Sequence, residues 1–123
     1  MNYMATSINQ SPVIVDKAGA DLAEVRGRAV KFDATGAIVL AGAGEKALGF
    51  GIMTNDTNIA KNADVHVQIK DIGLVYAGAA ITKGAELEVG ANGAVKPVAS
   101  GKPVAIALEA AAAAGVYVKA IIL

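Results

Sequence analysis

The sequence predicts an all-β domain, mainly strand with at most one short helix, and three observations carry that prediction. Asp64–Lys70, DVHVQIK, alternates strictly, with Val65, Val67 and Ile69 on one side and Asp64, His66, Gln68 and Lys70 on the other. That is the period-two pattern of a half-buried strand. Asn92-Gly93 lies between Glu86–Val89 and the apolar start at Val95, and this dipeptide tolerates positive φ and favours a tight hairpin. Finally, Gly27–Gly51 overlays Gly84–Leu108 without a gap at an offset of 57 residues. Gly27 falls on Gly84, Gly36 on Gly93 and Gly44 on Gly101, while Val30, Phe32 and Ile38 fall on Leu87, Val89 and Val95. Turn glycines and apolar positions coincide together, so the chain reads as two related β-units in one domain. A stacked solenoid needs at least three repeats.

Taken in order, Met1–Ser11 is polar and aperiodic and reads as an N-terminal arm ahead of a single β domain over 12–123. Pro12–Val15 is a short strand and Asp16–Asp21 a turn, and Leu22–Arg26 is open to one helical turn or a loop. Arg28–Asp33 and Ala37–Ala41 form the first hairpin around Ala34-Thr35-Gly36. Ala47–Met53 is the next strand, where Gly49 and Gly51 mark a bulge or a close backbone approach. Thr54–Asn62 is a loop rich in Asn, Asp and Thr. Strands follow at Asp64–Lys70 and Gly73–Tyr76, then the second unit. Leu108–Ala114 is open to a short helix, because alanine has the best helix propensity, or to an irregular connector. The closing Val116–Leu123 is a strand, with Val116, Val118 and Ala120 on one face and Tyr117, Lys119 and Ile121 on the other; its sister in the first unit is Val65–Ile69.

Composition narrows the function. Eleven basic and eleven acidic residues cancel, and the cations are spread singly, so no basic patch argues for nucleic acid. No apolar run approaches the ~18–20 residues that span a bilayer, and the first ten residues lack the basic start and apolar segment of a secretory signal. The absence of cysteine removes disulfides, thiolate chemistry and Cys-ligated metals. A core of Ala, Val, Ile and Leu with five aromatics in the whole chain buries little area per residue. Part of the stability is therefore expected from a partner or from self-association.

The reactive residue types form no catalytic constellation. His66 is the only histidine and sits on a polar strand face beside Asp64, so it cannot build a multi-His metal site or a nucleophilic triad. Gly42–Ala47 spells GxGxxA after a strand, as in dinucleotide-binding loops, but the segment that follows reads as β rather than as the helix such a loop requires. Glu86 and Glu88, two apart on one strand face, read as a solvated face rather than an acid–base pair, and Asp33 with Glu45 is no stronger. The sequence thus predicts no catalytic, cofactor-binding or metal residues.

Several stretches resemble the small capsid decoration proteins of tailed bacteriophages, also called cement, head decoration or head fibre proteins. They are GFGI at Gly49–Ile52, KGAELEV at Lys83–Val89 with its following glycine turn, and IALEAAAAAGVYVKAIIL at Ile106–Leu123. The resemblance covers about residues 20–123. It implies a β-tulip or similar small β-barrel-like domain that binds the outer surface of a phage head, often as a trimer, and stabilises the shell. Its partners would then be the major capsid protein and neighbouring copies of itself, with no nucleic acid and no membrane. It would be made in the bacterial host cytoplasm and reside on the virion. On this view Tyr3, Met4 and Ile8 of the arm are the apolar anchors on the shell or a neighbour. Two other classes compete. One is a structural subunit of another surface assembly or a fibre base. The other is a barrel-sandwich carrier module, suggested by GLVYAGAAITKGAELEV, although none of the three methionines adjoins a lysine as such modules commonly require.

Overall fold

The structure, a computed structural model, describes residues 12–123. The arm, with Tyr3, Met4 and Ile8, lies outside the described residues. The rest is β, as predicted. Twelve strands run in chain order: β1 Val13–Lys17, β2 Leu22–Ala23, β3 Ala29–Phe32, β4 Ile38–Leu40, β5 Gly49–Gly51, β6 Asn58–Ile59, β7 Asp64–Gln68, β8 Asp71–Tyr76, β9 Glu86–Val89, β10 Val95–Pro97, β11 Ala105–Ala107 and β12 Tyr117–Ile122. The one helical element among the described residues is a single 3₁₀ turn at Ala91–Gly93.

Two five-stranded antiparallel sheets share one topology. The first is ordered β4-β3-β5-β7-β1 and the second β10-β9-β11-β12-β8; β2 and β6 form a separate two-stranded ribbon. Both hairpins keep the predicted offset: Val30 pairs with Leu40 as Leu87 pairs with Pro97, and Phe32 with Ile38 as Val89 with Val95. The third strand does not. Leu48 N–H donates to the Val30 carbonyl, and its equivalent, Val104 N–H, donates to Leu87, so the offset there falls to 56. The connection before β11 is one residue shorter than the one before β5, so the ungapped overlay holds only through the hairpins. The likeness also reaches beyond the hairpins. β7 corresponds to β12, as the tail's alternation predicted, and β1 to β8.

Each sheet curls until its outer strands touch at one point. Ala18, just past β1, makes a parallel bridge to Ile38 of β4, and Ala77 makes the same bridge to Val95. Neither sheet closes further, so the domain is a pair of half-open barrels. Each barrel fills with its own apolar cluster. In the first, Ala18, Leu22, Val30, Ile38, Val65 and Val67 are buried; at the matching positions of the second are Ala77, Ile81, Leu87, Val95, Val118 and Ala120.

Two ambiguous stretches resolve. Leu22–Arg26 contains no helical turn; it begins with the short strand β2, paired with β6. Leu108–Ala114 is a connector. Ala111 is buried and bridges Ile81 as Ile59 of β6 pairs with Leu22, so the alanine run stands where the first unit has a strand. A run that short nucleates a helix poorly in any case. The glycines of β5 mark a close approach: a Cβ on Gly51 would lie 2.2 Å from the Val25 carbonyl oxygen.

Candidate interaction surfaces

The two barrels meet through the outer face of the first sheet. Ala29, Ala41 and Phe50 point away from their own barrel and join the apolar cluster of the second. The hairpin turn at Gly93 presses against the backbone of Ala29, Gly44 N–H donates to the Val89 carbonyl (2.8 Å), and Tyr76 N–H donates to Gly27 (2.7 Å). Arg28 locks the seam. Its guanidinium lies 4.2 Å from the Tyr76 ring centroid, donates to the Asn92 carbonyl and pairs with Glu24. Tyr76 meets Tyr117 edge-on at 5.4 Å. At the equivalent register position of the first unit stands an exposed ion pair, Lys17–Asp64 (2.6 Å). One end of the repeat is therefore aromatic and docked, and its twin is charged and wet.

The acidic residues serve as loop fasteners. Glu88 is buried, contrary to the solvated face expected for Glu86 and Glu88; only Glu86 is exposed. The short connection before β11 folds over Glu88, whose carboxylate accepts from the N–H groups of Ala99 (3.2 Å) and Gly101 (2.6 Å) and faces Lys96 across the hairpin. Burial works to raise its pKa, but those two N–H groups and Lys96 together outweigh it and hold the carboxyl below its ordinary value. Asp33 is lowered by the Thr35 hydroxyl and by N–H groups of its own turn, and Glu45 by Lys31 and the Gly42 N–H. That last bond (2.6 Å) places a carboxylate where a GxGxxA loop would present its N–H to phosphate, and β5 rather than a helix follows. This arrangement does not bind a dinucleotide phosphate in the manner of that motif.

Glu88 gives a pH-linked prediction. Its folded pKa is depressed, so its contribution is complete above the unfolded value and is lost as pH falls through the folded one. Glu88→Gln is expected to lower the Tm at pH 7, and the gap to wild type should shrink below about pH 4. Thermal melts across that range check it; a gap independent of pH would deny the carboxylate its role.

His66 lies beside a shallow polar groove of about 370 Å³ lined by Thr54, Asn55, Asp56 and Asp64 among others. The buried Asn55 amide bonds both backbone groups of His66, leaving the imidazole side exposed. Among the described residues no group of three His, Cys, Asp or Glu side chains is placed to hold a metal ion.

No family profile and no curated protein matches the chain in sequence. Solved structures match it in fold. The domain is similar to the head fiber gp8.5 N base of bacteriophage phi29, with a TM-score of 0.69 over 90% of this chain and 92% of that one, at 19% identity. The chain has the fold of that fibre base. The likeness takes in both barrels, not one of them, given its coverage. What the fold leaves on the surface then becomes the question. Among the described residues, five of the ten exposed large apolar side chains gather in one place, the outer face of β12 and β8, where Ile72, Leu74, Tyr117 and Ile121 point to solvent with Leu123 beside them. Sequence alternation placed Tyr117 and Ile121 on one face of the last strand but gave no sign that β8 extends that face.

Proposed function

We propose that this chain is a structural component of a tailed-phage head, one that binds the outer surface of the shell and stabilises it without catalytic chemistry. The observation that carries the reading is the likeness to a phage head fibre base along nearly the whole of both chains. It agrees with the sequence resemblance to capsid decoration proteins, which was drawn from different features. The partners proposed are the major capsid protein and further copies of the chain, grouped as a homotrimer on the virion surface. Residues 1–10, through Tyr3, Met4 and Ile8, are the proposed anchor on the shell or a neighbour. A base supporting a longer fibre is the second reading, favoured by the description of the phi29 protein as the base of a head fibre. The carrier-module reading loses ground, since the tips of the two tight hairpins, Ala34-Thr35-Gly36 and Ala91-Asn92-Gly93, hold no lysine.

Co-sedimentation of purified protein with undecorated phage heads tests the proposal. Saturable binding at a fixed ratio to the shell subunit is the expected result, and electron microscopy of the decorated particles distinguishes a compact knob from an extended fibre. Removing residues 1–10 is expected to abolish that binding while the far-UV spectrum and melting transition persist. Undiminished binding by the truncated chain would remove the arm from the mechanism.

A further inference from the structure

The two sheets are twins in topology, but their outer faces differ in chemistry. On the second sheet Ile106, Ile121 and Ile72 stand directly opposite one another across β11, β12 and β8. Leu74, Tyr117 and Leu123 extend the row, with Lys119 among them and exposed Glu86 beside Ile106 at its β9 margin. At the matching positions on the first sheet, Tyr117, Lys119 and Ile121 are replaced by Asp64, His66 and Gln68. Val13 and Val15 of β1 match Ile72 and Leu74, so it is the middle of the row, on β12, that is apolar in the second sheet and polar in the first.

Strand addition at β8 is hindered by the protein itself. Tyr76 N–H is taken by Gly27, the Ile72 carbonyl accepts from the Gln68 amide (2.9 Å), and that amide lies over Gly73. A partner is left with the face, not the edge. Of the face residues, Ile72, Leu74, Tyr117, Ile121 and Leu123 are each between 38% and 60% exposed. For side chains of their size that is roughly 500 Å² of apolar surface, a size at which patches are often functional. One side of a standard interface buries about 800 Å², and homodimer interfaces are about 65% apolar, so this face supplies close to the apolar area one side of such a contact needs. The face also runs without a break, through Tyr117 and Tyr76, into the seam between the barrels.

We propose that the outer face of β11, β12 and β8 is the self-association surface of this protein and that its occupant is a second copy of the chain. This gives a location to the homo-oligomer in the proposed function; it rests on that part of the reading and not on shell binding.

The full chain, free of phage heads, provides the test. Light scattering is expected to give a mass at least twice that of one chain. The double variant Ile72→Lys/Ile121→Glu places opposite charges at directly paired positions, which keeps the cross-strand contact while removing the apolar row. It should scatter as a single chain and retain its far-UV spectrum. The chain has no cysteine, so a second measurement is clean. Leu74→Cys is expected to link copies with a bis-maleimide, while Val15→Cys, exposed at the twin position, is not. A wild-type chain that is monomeric up to its solubility limit would overturn the proposal, as would oligomers unaffected by the double variant or equal cross-linking at both cysteines. Shell binding by the wild type is measured apart, so either idea can fail alone.

Discussion

Phe50→Ala is expected to cost about 3–5 kcal/mol, the range for truncating a fully buried aromatic. Phe50 is the largest of the fully buried side chains. It lies in β5 between two glycines, on the face turned toward the second barrel, and it joins that barrel's apolar cluster rather than its own. The cavity would open at the seam, where Gly27, Gly44 and Gly93 also bring the backbones of the two units together. Domains of this size hold only about 5–15 kcal/mol of net stability, so the loss is a large share of it. A fall in Tm on the order of 10–20 °C follows. The twin position supplies the control. Ile106 is only half-buried, so Ile106→Ala should cost well under half as much in the monomer. Urea unfolding of both variants measures the difference. Similar losses at the two positions would mean that Phe50 does not hold the barrels together.

That asymmetry explains why the repeat stops at two. A further barrel stacked by the same contact would need the face of Glu86, Val98 and Ile106 to do what Ala29, Ala41 and Phe50 do. It would also need the Lys17–Asp64 end to do what Tyr76 and Tyr117 do. Both open ends carry exposed charge: Glu86 on one, Lys17 and Asp64 on the other. Burying those groups costs free energy unless each finds a partner. Terminal repeats with polar outer faces are the general means of ending such a series. The apolar face of the second sheet begins at Ile106, beside Glu86, and runs away from that charge across β12 and β8.

Much of this was legible in the sequence because it is local. The alternation of Asp64–Lys70 gave β7, and Asn92-Gly93 gave a turn in which both residues are left-handed, at φ 55° and 77°. The coincidence of turn glycines gave the twin hairpins. The one-residue slip before β11 was not legible, because neighbouring small residues there offer little to fix register. Glu88 was misread for a related reason: alternation correctly places it opposite Leu87, but whether that face is wet depends on loop N–H groups 11 and 13 residues on. The seam was hidden by distance in the chain. Arg28 reaches Asn92 and Tyr76, and nothing near Arg28 marks it as a contact residue. The surfaces that matter to the proposed function are faces whose composition the sequence shows but whose exposure only the packed domain reveals.

A matched pair of glycines offers the second large effect and separates two physical costs. Gly36 and Gly93 are twins in the two hairpin turns, at φ 84° and 77°. An alanine at either must adopt the left-handed region, which costs roughly 1–2 kcal/mol. At Gly36 nothing lies within 4 Å of the added Cβ, so that cost stands alone. At Gly93 the Cβ would lie 2.5 Å from the carbonyl oxygen of Ala29 and 3.0 Å from its nitrogen. Ala29 opens β3, and its backbone, paired with Phe50 and accepting from the Ala41 N–H, cannot swing aside as a side-chain end can. The turn must therefore lift off β3 or the seam must open, adding about 1–3 kcal/mol of overpacking. Gly93→Ala is thus expected to cost ~2–5 kcal/mol and Gly36→Ala no more than about 2. Denaturant melts of the two variants give the numbers, and the excess at Gly93 reports the tightness of the seam. Equal losses would show that the second hairpin does not bear on the first barrel, and the shared core around Phe50 would have to be reconsidered with it.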